Sequence, residues 1–160
     1  MSAPQRRILF VCTGNLCRSP LARGLLAHAV ARRADAARFV IDAAGTDARE
    51  GNAPTPYALE VAARRGIDLS AHRSRRLVAG DFACFDVIVA MDFGHLDWLR
   101  FLRPADAGCE LRLLLGAHGR RRAREVPDPY GRSRGTYERV ARLIELGVRA
   151  LLAEWDAAGD

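Results

Sequence analysis

The stretch Ile8–Leu26, "ILFVCTGNLCRSPLARGLL", decides how the chain is read. Four apolar residues, Ile8 to Val11, stop at Cys12. Gly14 and Asn15 follow, then Cys17, Arg18, Ser19 and Pro20, and a helical pattern begins. The apolar run reads as a strand. Pro20 sits where a first helical residue is tolerated, with Ser19 ahead of it as a candidate cap. Leu21, Leu25 and His28 then share one face, with Leu26 and Ala29 beside it.

Working outward, strand-like runs recur at Phe39–Ile41, Val87–Met91 and Leu111–Leu115, with helical patterns between them. The order β-α-β-α implies a parallel sheet covered by helices on both faces. A helix is expected from Thr55 as cap and Pro56 as first residue, ending at Gly66. The last helix is the clearest: Tyr137, Val140, Ala141, Ile144, Val148, Leu151, Leu152 and Trp155 follow the three-four spacing of one buried stripe. Two Gly/Pro-rich stretches, Ala43–Pro56 and Arg124–Gly135, read as functional loops. In such a sheet ligands bind beyond the carboxyl ends of the strands. The Cys12 loop lies off the first of them.

With 160 residues, 49% of them hydrophobic, the chain reads as one globular domain over 1–160. No apolar run approaches the ~20 residues of a membrane helix, and Ile8–Val11 is too short for a signal-peptide core. These features point to the cytoplasm, where four cysteines are catalytic or buried and not a disulfide framework. The formal net charge is +6, and all 25 basic residues are arginine. The densest cluster, Arg120, Arg121, Arg122 and Arg124, lacks interleaved aromatics and any recognition motif. It reads as a solvated loop, not a nucleic-acid site.

Read as chemistry, Cys12 to Arg18 is a Cys-x5-Arg loop. Backbone amides from Thr13 through Gly14, Asn15, Leu16 and Cys17 to Arg18 can turn inward as a nest for a tetrahedral dianion. The helix that follows points its positive end at the same spot. Gly14 and Asn15 tolerate the left-handed backbone a nest needs. Arg18 can grip two phosphate oxygens with its planar fork. The same field favours a nucleophilic thiolate at Cys12, and the Ser19 hydroxyl can donate to that sulfur. The spacing alone is weak, because Cys17 and Arg23 match it too. Only Cys12 has a strand before, Gly-Asn inside and a helix after. A phosphatase of this kind also needs an acid for the leaving oxygen, and Asp128 in "EVPDPYGRS" suits it.

Together "VCTGNLCRSP", "HRSR" at His72–Arg75, "FDVIVAMD" at Phe85–Asp92 and "PDPY" at Pro127–Tyr130 resemble the low-molecular-weight protein tyrosine phosphatases over nearly the whole chain. "AREGNAP" and "EVPDPYGRSRGTY" look most like the bacterial members associated with capsule and exopolysaccharide production. The resemblance implies a flavodoxin-like three-layer α/β/α fold around a four-stranded parallel sheet. It also implies no metal or other cofactor, and a cysteinyl-phosphate intermediate. It makes Cys12 the nucleophile, Arg18 the phosphate ligand and Asp128 the acid and then base. Asn15 and Ser19 shape the loop, and His72 buttresses them both. The expected partner is a phosphotyrosine protein, the tyrosine-rich tail of a tyrosine autokinase. Ala43 stands where the family usually has serine, which removes one supporting hydrogen bond. Arg49 stands near a usual rim aromatic, leaving Leu16 and Tyr130 as walls and Arg49 to favour acidic flanking residues. Cys17 is a candidate for condensing with an oxidised Cys12. The alternatives are an arsenate reductase of the same fold, which needs two further cysteines on a mobile segment, and a phosphotyrosine reader without turnover.

Overall fold

In the computed structural model, which describes residues 4–116 and 124–159, the elements alternate as the pattern requires. They are β1 (Arg6–Cys12), α1 (Arg18–Val30), β2 (Phe39–Gly45), α2 (Pro56–Ala63), α3 (Asp81–Cys84), β3 (Val87–Ala90), α4 (Phe93–Leu102), β4 (Glu110–Leu113) and α5 (Arg134–Ala157). All pairings are parallel, in the order β2-β1-β3-β4. Ile8 to Val11 have no exposed surface, because β1 is central and helices cover both of its faces. Side-chain alternation sends Ile8, Phe10 and Cys12 to the layer packed with α1, α2 and α5. Leu9 and Val11 go to the layer that includes Phe82 of α3 and Leu96 and Leu99 of α4. The result is a flavodoxin-like three-layer α/β/α sandwich.

The chain leaves β1 for β2 on one side and later reaches β3 on the other. The strand order therefore reverses at the carboxyl end of β1, where the loop after Cys12 lies. The α5 stripe is buried throughout. Gly147 joins it because a Cβ there would lie 2.6 Å from Leu114 Cγ.

Four local expectations change. The second strand runs on to Gly45, where Asp42, Ala43, Ala44 and Gly45 have little strand preference but pair in register with Leu9 to Cys12. Helix α1 starts at Arg18, with Cys17 as its cap residue and no capping bond from Ser19. His28 and Ala29 are exposed, and α1 buries Leu21, Ala22, Leu25, Leu26 and Val30 instead. The short α3 carried no periodic signal. Thr55 and Pro56 do open α2, and Gly66 follows its end at φ 75°. Of the arginine cluster, Arg120, Arg121 and Arg122 lie outside the described residues. No helix among the described residues is long and apolar enough to cross a membrane.

Candidate active site

The loop between β1 and α1 has its carbonyls drawn outward. Thr46 N–H donates to Cys12 O (2.9 Å), Asp47 N–H to Thr13 O (3.0 Å), Thr55 N–H to Leu16 O and Leu21 N–H to Cys17 O (both 3.1 Å). The His72 ring meets Asn15 O at 2.9 Å through Nε2. A planar peptide whose carbonyl points out presents its amide on the opposite side. The amides of Gly14 to Cys17 have no acceptor among the described residues. Gly14, Leu16 and Cys17 border a cavity of about 220 Å³, whose walls also include Cys12, Thr13, Arg18, Asp128 and Tyr130. A hollow of about 500 Å³ beside Arg7, Asp86 and Cys109 is larger. It lies at the amino end of the sheet, far from Cys12, so size does not mark the site.

Asn15 makes the loop's turn possible. At φ 57° it is the one non-glycine residue with positive φ among those described, a conformation that asparagine tolerates. It is fully buried and anchored on three sides. Its Nδ2 donates to Ser19 Oγ (2.8 Å), its Oδ1 accepts from Arg75 N–H (2.9 Å), and its carbonyl takes His72. His72 thus supports Asn15 directly and reaches Ser19 only through it. Burial pushes the His72 pKa down, so the ring is neutral and donates from Nε2. Ala43 provides no hydroxyl, and these three contacts hold Asn15 without one. Gly45 must be glycine, since a Cβ would sit 2.3 Å from Thr13 O.

Ser19, free of capping duty, lies with Oγ 2.9 Å from Cys12 Sγ. Because Asn15 occupies one of its lone pairs, its proton can point to the sulfur. Arg18 is only 3% exposed. Its Nη1 donates to Asp92 Oδ2 and to Val126 O, both at 3.0 Å, and its Nη2 is 3.7 Å from Asp128 Oδ2. A guanidinium this buried needs such partners. Asp128 accepts from Tyr130 N–H at 3.0 Å, and its side chain is 55% exposed on the cavity rim. Leu16 and Tyr130 also line the cavity. Arg49 is exposed and is not among the lining residues.

Cys17 is buried and faces away toward α5. Its Sγ lies 3.3 Å from both Thr55 Oγ1 and Tyr137 Oη, which are 2.9 Å from each other. Burial raises its pKa. Cys84 and Cys109 stand just before β3 and β4, at the end of the parallel sheet opposite Cys12. A cysteine relay of the reductase kind would have to cross the length of the sheet.

Three contributors were missed from the sequence: Gly45, the Arg75 amide and His95. His95 Nε2 is 2.8 Å from Thr13 Oγ1, and the ring packs beside Asp92, which caps α4 by accepting from His95 N–H. The Asp-x-x-His spacing in "MDFGHL" marks a helix start and nothing more.

The sequence profile described as "Low molecular weight phosphotyrosine protein phosphatase" matches residues 7–159. The chain is 32% identical over 154 residues to the "Probable low molecular weight protein-tyrosine-phosphatase EpsP" of Ralstonia nicotianae, covering 96% of this chain and 99% of that one. Among solved structures, YfkJ from Bacillus subtilis is similar with a TM-score of 0.88 and 30% identity, covering all of both chains. Wzb of Vibrio vulnificus, solved in complex with benzylphosphonate, has a TM-score of 0.81 and 26% identity, covering 93% of this chain and 98% of that one.

The buried imidazoles make stability depend on pH. Burial pushes His95 down to about 4 and lowers His72 as well, while an unfolded histidine titrates near 6.5. Between those values the unfolded chain binds more protons, so stability is full above about pH 6.5 and is lost as pH falls. For His95 the loss approaches about 3 kcal/mol by pH 4. Urea unfolding at pH 7.5 and pH 5 is expected to show a loss of about 2 kcal/mol or more, and a smaller one in His95→Gln. Equal slopes for the two proteins would refute the assignment.

Proposed function

The chain belongs to the low molecular weight phosphotyrosine protein phosphatase family and is a protein-tyrosine phosphatase, and on that premise we propose that it works through a cysteinyl-phosphate on Cys12. The observation that carries this reading is the Ser19 hydroxyl 2.9 Å from Cys12 Sγ, at the floor of a loop whose amides are free. In the first step the Cys12 thiolate attacks phosphorus, the S–P bond forms and the bond to the tyrosine oxygen breaks. Asp128 gives its proton to that oxygen. In the second step water attacks phosphorus, Asp128 takes the water's proton, the S–P bond breaks and phosphate leaves. The loop amides and the Arg18 fork bind the equatorial oxygens, where transition-state charge spreads. Asn15 fixes the loop, His72 fixes Asn15, and Ser19 stabilises the departing thiolate. Asp92 is a poor acid, since both of its oxygens are engaged by Arg18 and the start of α4. Leu16 and Tyr130 offer walls for an aromatic ring.

The substrate is a phosphotyrosine protein, and we assign it to the tyrosine-rich tail of a tyrosine autokinase of exopolysaccharide biosynthesis, met in the cytoplasm. The loop resemblance to capsule-associated bacterial members supports this, as do relatives carrying the names EpsP and Wzb. Exposed arginines near the site, Arg49 and Arg132 among them, suit an acidic, multiply phosphorylated peptide. We read residues 1–160 as a single phosphatase domain that needs no metal or other cofactor.

Cys12→Ser is expected to abolish turnover of p-nitrophenyl phosphate while still binding vanadate. Retention of more than about a hundredth of the wild-type rate would remove Cys12 from the role, given accelerations of ~10⁶-fold and more. Asp128→Asn is expected to lose roughly 10²–10⁴-fold with phenyl phosphate and much less with nitrophenyl phosphate, whose leaving group needs no proton. A uniform loss across the leaving-group series would place the acid elsewhere.

Cys17 is proposed to protect the nucleophile. Peroxide oxidises the Cys12 thiolate to a sulfenic acid, and the Cys17 thiol displaces water from it to form a disulfide. The bonds to Thr55 and Tyr137 must release Cys17 first. Peroxide-treated wild type is expected to regain activity in dithiothreitol, with a Cys12–Cys17 disulfide visible by mass spectrometry beforehand. Equal recovery of Cys17→Ser would show that Cys17 only packs.

A further inference from the structure

Asp92 and His95 join the two sides of the phosphate loop. His95 is 5% exposed, and its Nε2 lies 2.8 Å from the hydroxyl of Thr13, the neighbour of Cys12. Its Nδ1 lies 3.1 Å from Asp92 Oδ1, with the ring turned so that no well-aligned hydrogen bond joins them. The other oxygen, Asp92 Oδ2, accepts from Arg18 Nη1 at 3.0 Å. A path of contacts thus runs from Thr13 through His95 and Asp92 to Arg18, across 82 residues of sequence.

We propose that His95 is a positioning residue for the phosphatase reaction: a neutral ring protonated on Nδ1, it steadies the Asp92 carboxylate that aims Arg18 at the phosphate, and accepts the Thr13 hydroxyl proton on Nε2. The inference rests on the phosphatase reading above.

The tautomer follows from electrostatics. A neutral imidazole carries one N–H. Were it on Nε2, the negative end of Nδ1 would lie 3.1 Å from a carboxylate oxygen, two acceptors crowded together in a buried site with no proton for either to share. With the proton on Nδ1, the positive N–H edge of the ring lies beside the Asp92 carboxylate, an electrostatic contact, and Nε2 accepts from the Thr13 hydroxyl, which rotates to suit. Burial keeps the ring uncharged. The charged groups that bear on it are Asp92, Arg18 and Asp128.

The consequence for Arg18 is geometric. Asp92 Oδ1 also accepts from His95 N–H at 2.9 Å, so the helix amide and the ring both bear on that oxygen and leave Oδ2 for Arg18. Without the ring the carboxylate is held on that side by the amide alone and can swing. Arg18 Nη1 is committed to Asp92 and Val126 O, which leaves Nη2 toward the cavity and Asp128. A guanidinium that loses this aim contributes less where charge builds in the transition state, so kcat falls more than KM rises.

Long-range proton–nitrogen NMR of the His95 ring at pH 7 reads the tautomer directly. The proton is expected on Nδ1, and a proton on Nε2 overturns the proposal. Kinetics with p-nitrophenyl phosphate divide the two contacts. His95→Asn keeps an amide beside Asp92, whereas His95→Gln reaches toward Thr13 and abandons Asp92. Gln is expected to lower kcat tenfold to a hundredfold, the scale of a misplaced group, with KM little changed, and Asn to restore most of the rate. Adding Asp92→Asn to His95→Gln is expected to cost no more than Asp92→Asn alone, because both cut one link. Full activity in His95→Gln, or a larger loss in His95→Asn than in His95→Gln, overturns the proposal. Wild-type turnover tests the phosphatase reading by itself, whereas the variant ratios and the tautomer test the role of His95.

Discussion

A loop that binds an anion with its amides must have its carbonyls satisfied from behind. That requirement organises the carboxyl end of this sheet. The segment after β2 supplies Thr46 and Asp47, the entry to α2 supplies Thr55, and the segment after α2 supplies His72 and Arg75. Each grips the back of the Cys12 loop, and a buried amide or carbonyl left without a partner would cost about 1–3 kcal/mol. The apolar core positions these segments but does not by itself dictate the loop. Asn15, the single left-handed turn in it, takes the contacts of His72 and Arg75 from the segment after α2 and donates to Ser19 of α1.

Charge is arranged by the same logic. Arg18 is nearly excluded from water and would be costly to bury alone. Asp92 and the Val126 carbonyl hold one edge of its guanidinium, and Asp128 stands loosely off the other at 3.7 Å. The close contacts are those that fix orientation. The loose one involves the exposed carboxylate on the rim, the group proposed above to exchange a proton with substrate and water. Tight and loose contacts therefore divide along the line between holding the fork and doing chemistry. Ser19 follows the same division: Asn15 donates to one of its lone pairs, and of the two acceptors open to its proton Cys12 Sγ at 2.9 Å is closer than the Ala44 carbonyl at 3.4 Å.

Much of this was legible in the chain. Ile8–Leu26 determined a strand, a tight loop and a helix, because those depend on local spacing and on residue types that either tolerate or break regular structure. The recurrence of apolar runs determined a parallel sheet with helices on both faces. The three-four stripe from Tyr137 to Trp155 determined α5. Cys12, Arg18 and Asp128 could be nominated because their chemistry is carried by residue type and by position after a strand.

Tertiary structure decided the support. Thr13 and His95 are 82 residues apart, Asn15 and Arg75 are 60 apart, and Cys17 and Tyr137 are 120 apart. No local spacing encodes such meetings, since they follow from which strand lies next to which. For Ser19 the chain offered two readings, a helix cap beside Pro20 and a donor to the Cys12 sulfur, and the fold decided for the second. Residues 42 to 45 show it for the backbone. Their own preferences favour a turn, and they form a strand because β1 offers a ladder of unpaired groups beside them. Gly45 then had to be glycine for a reason that exists only in three dimensions: the Thr13 carbonyl occupies the space a Cβ would need.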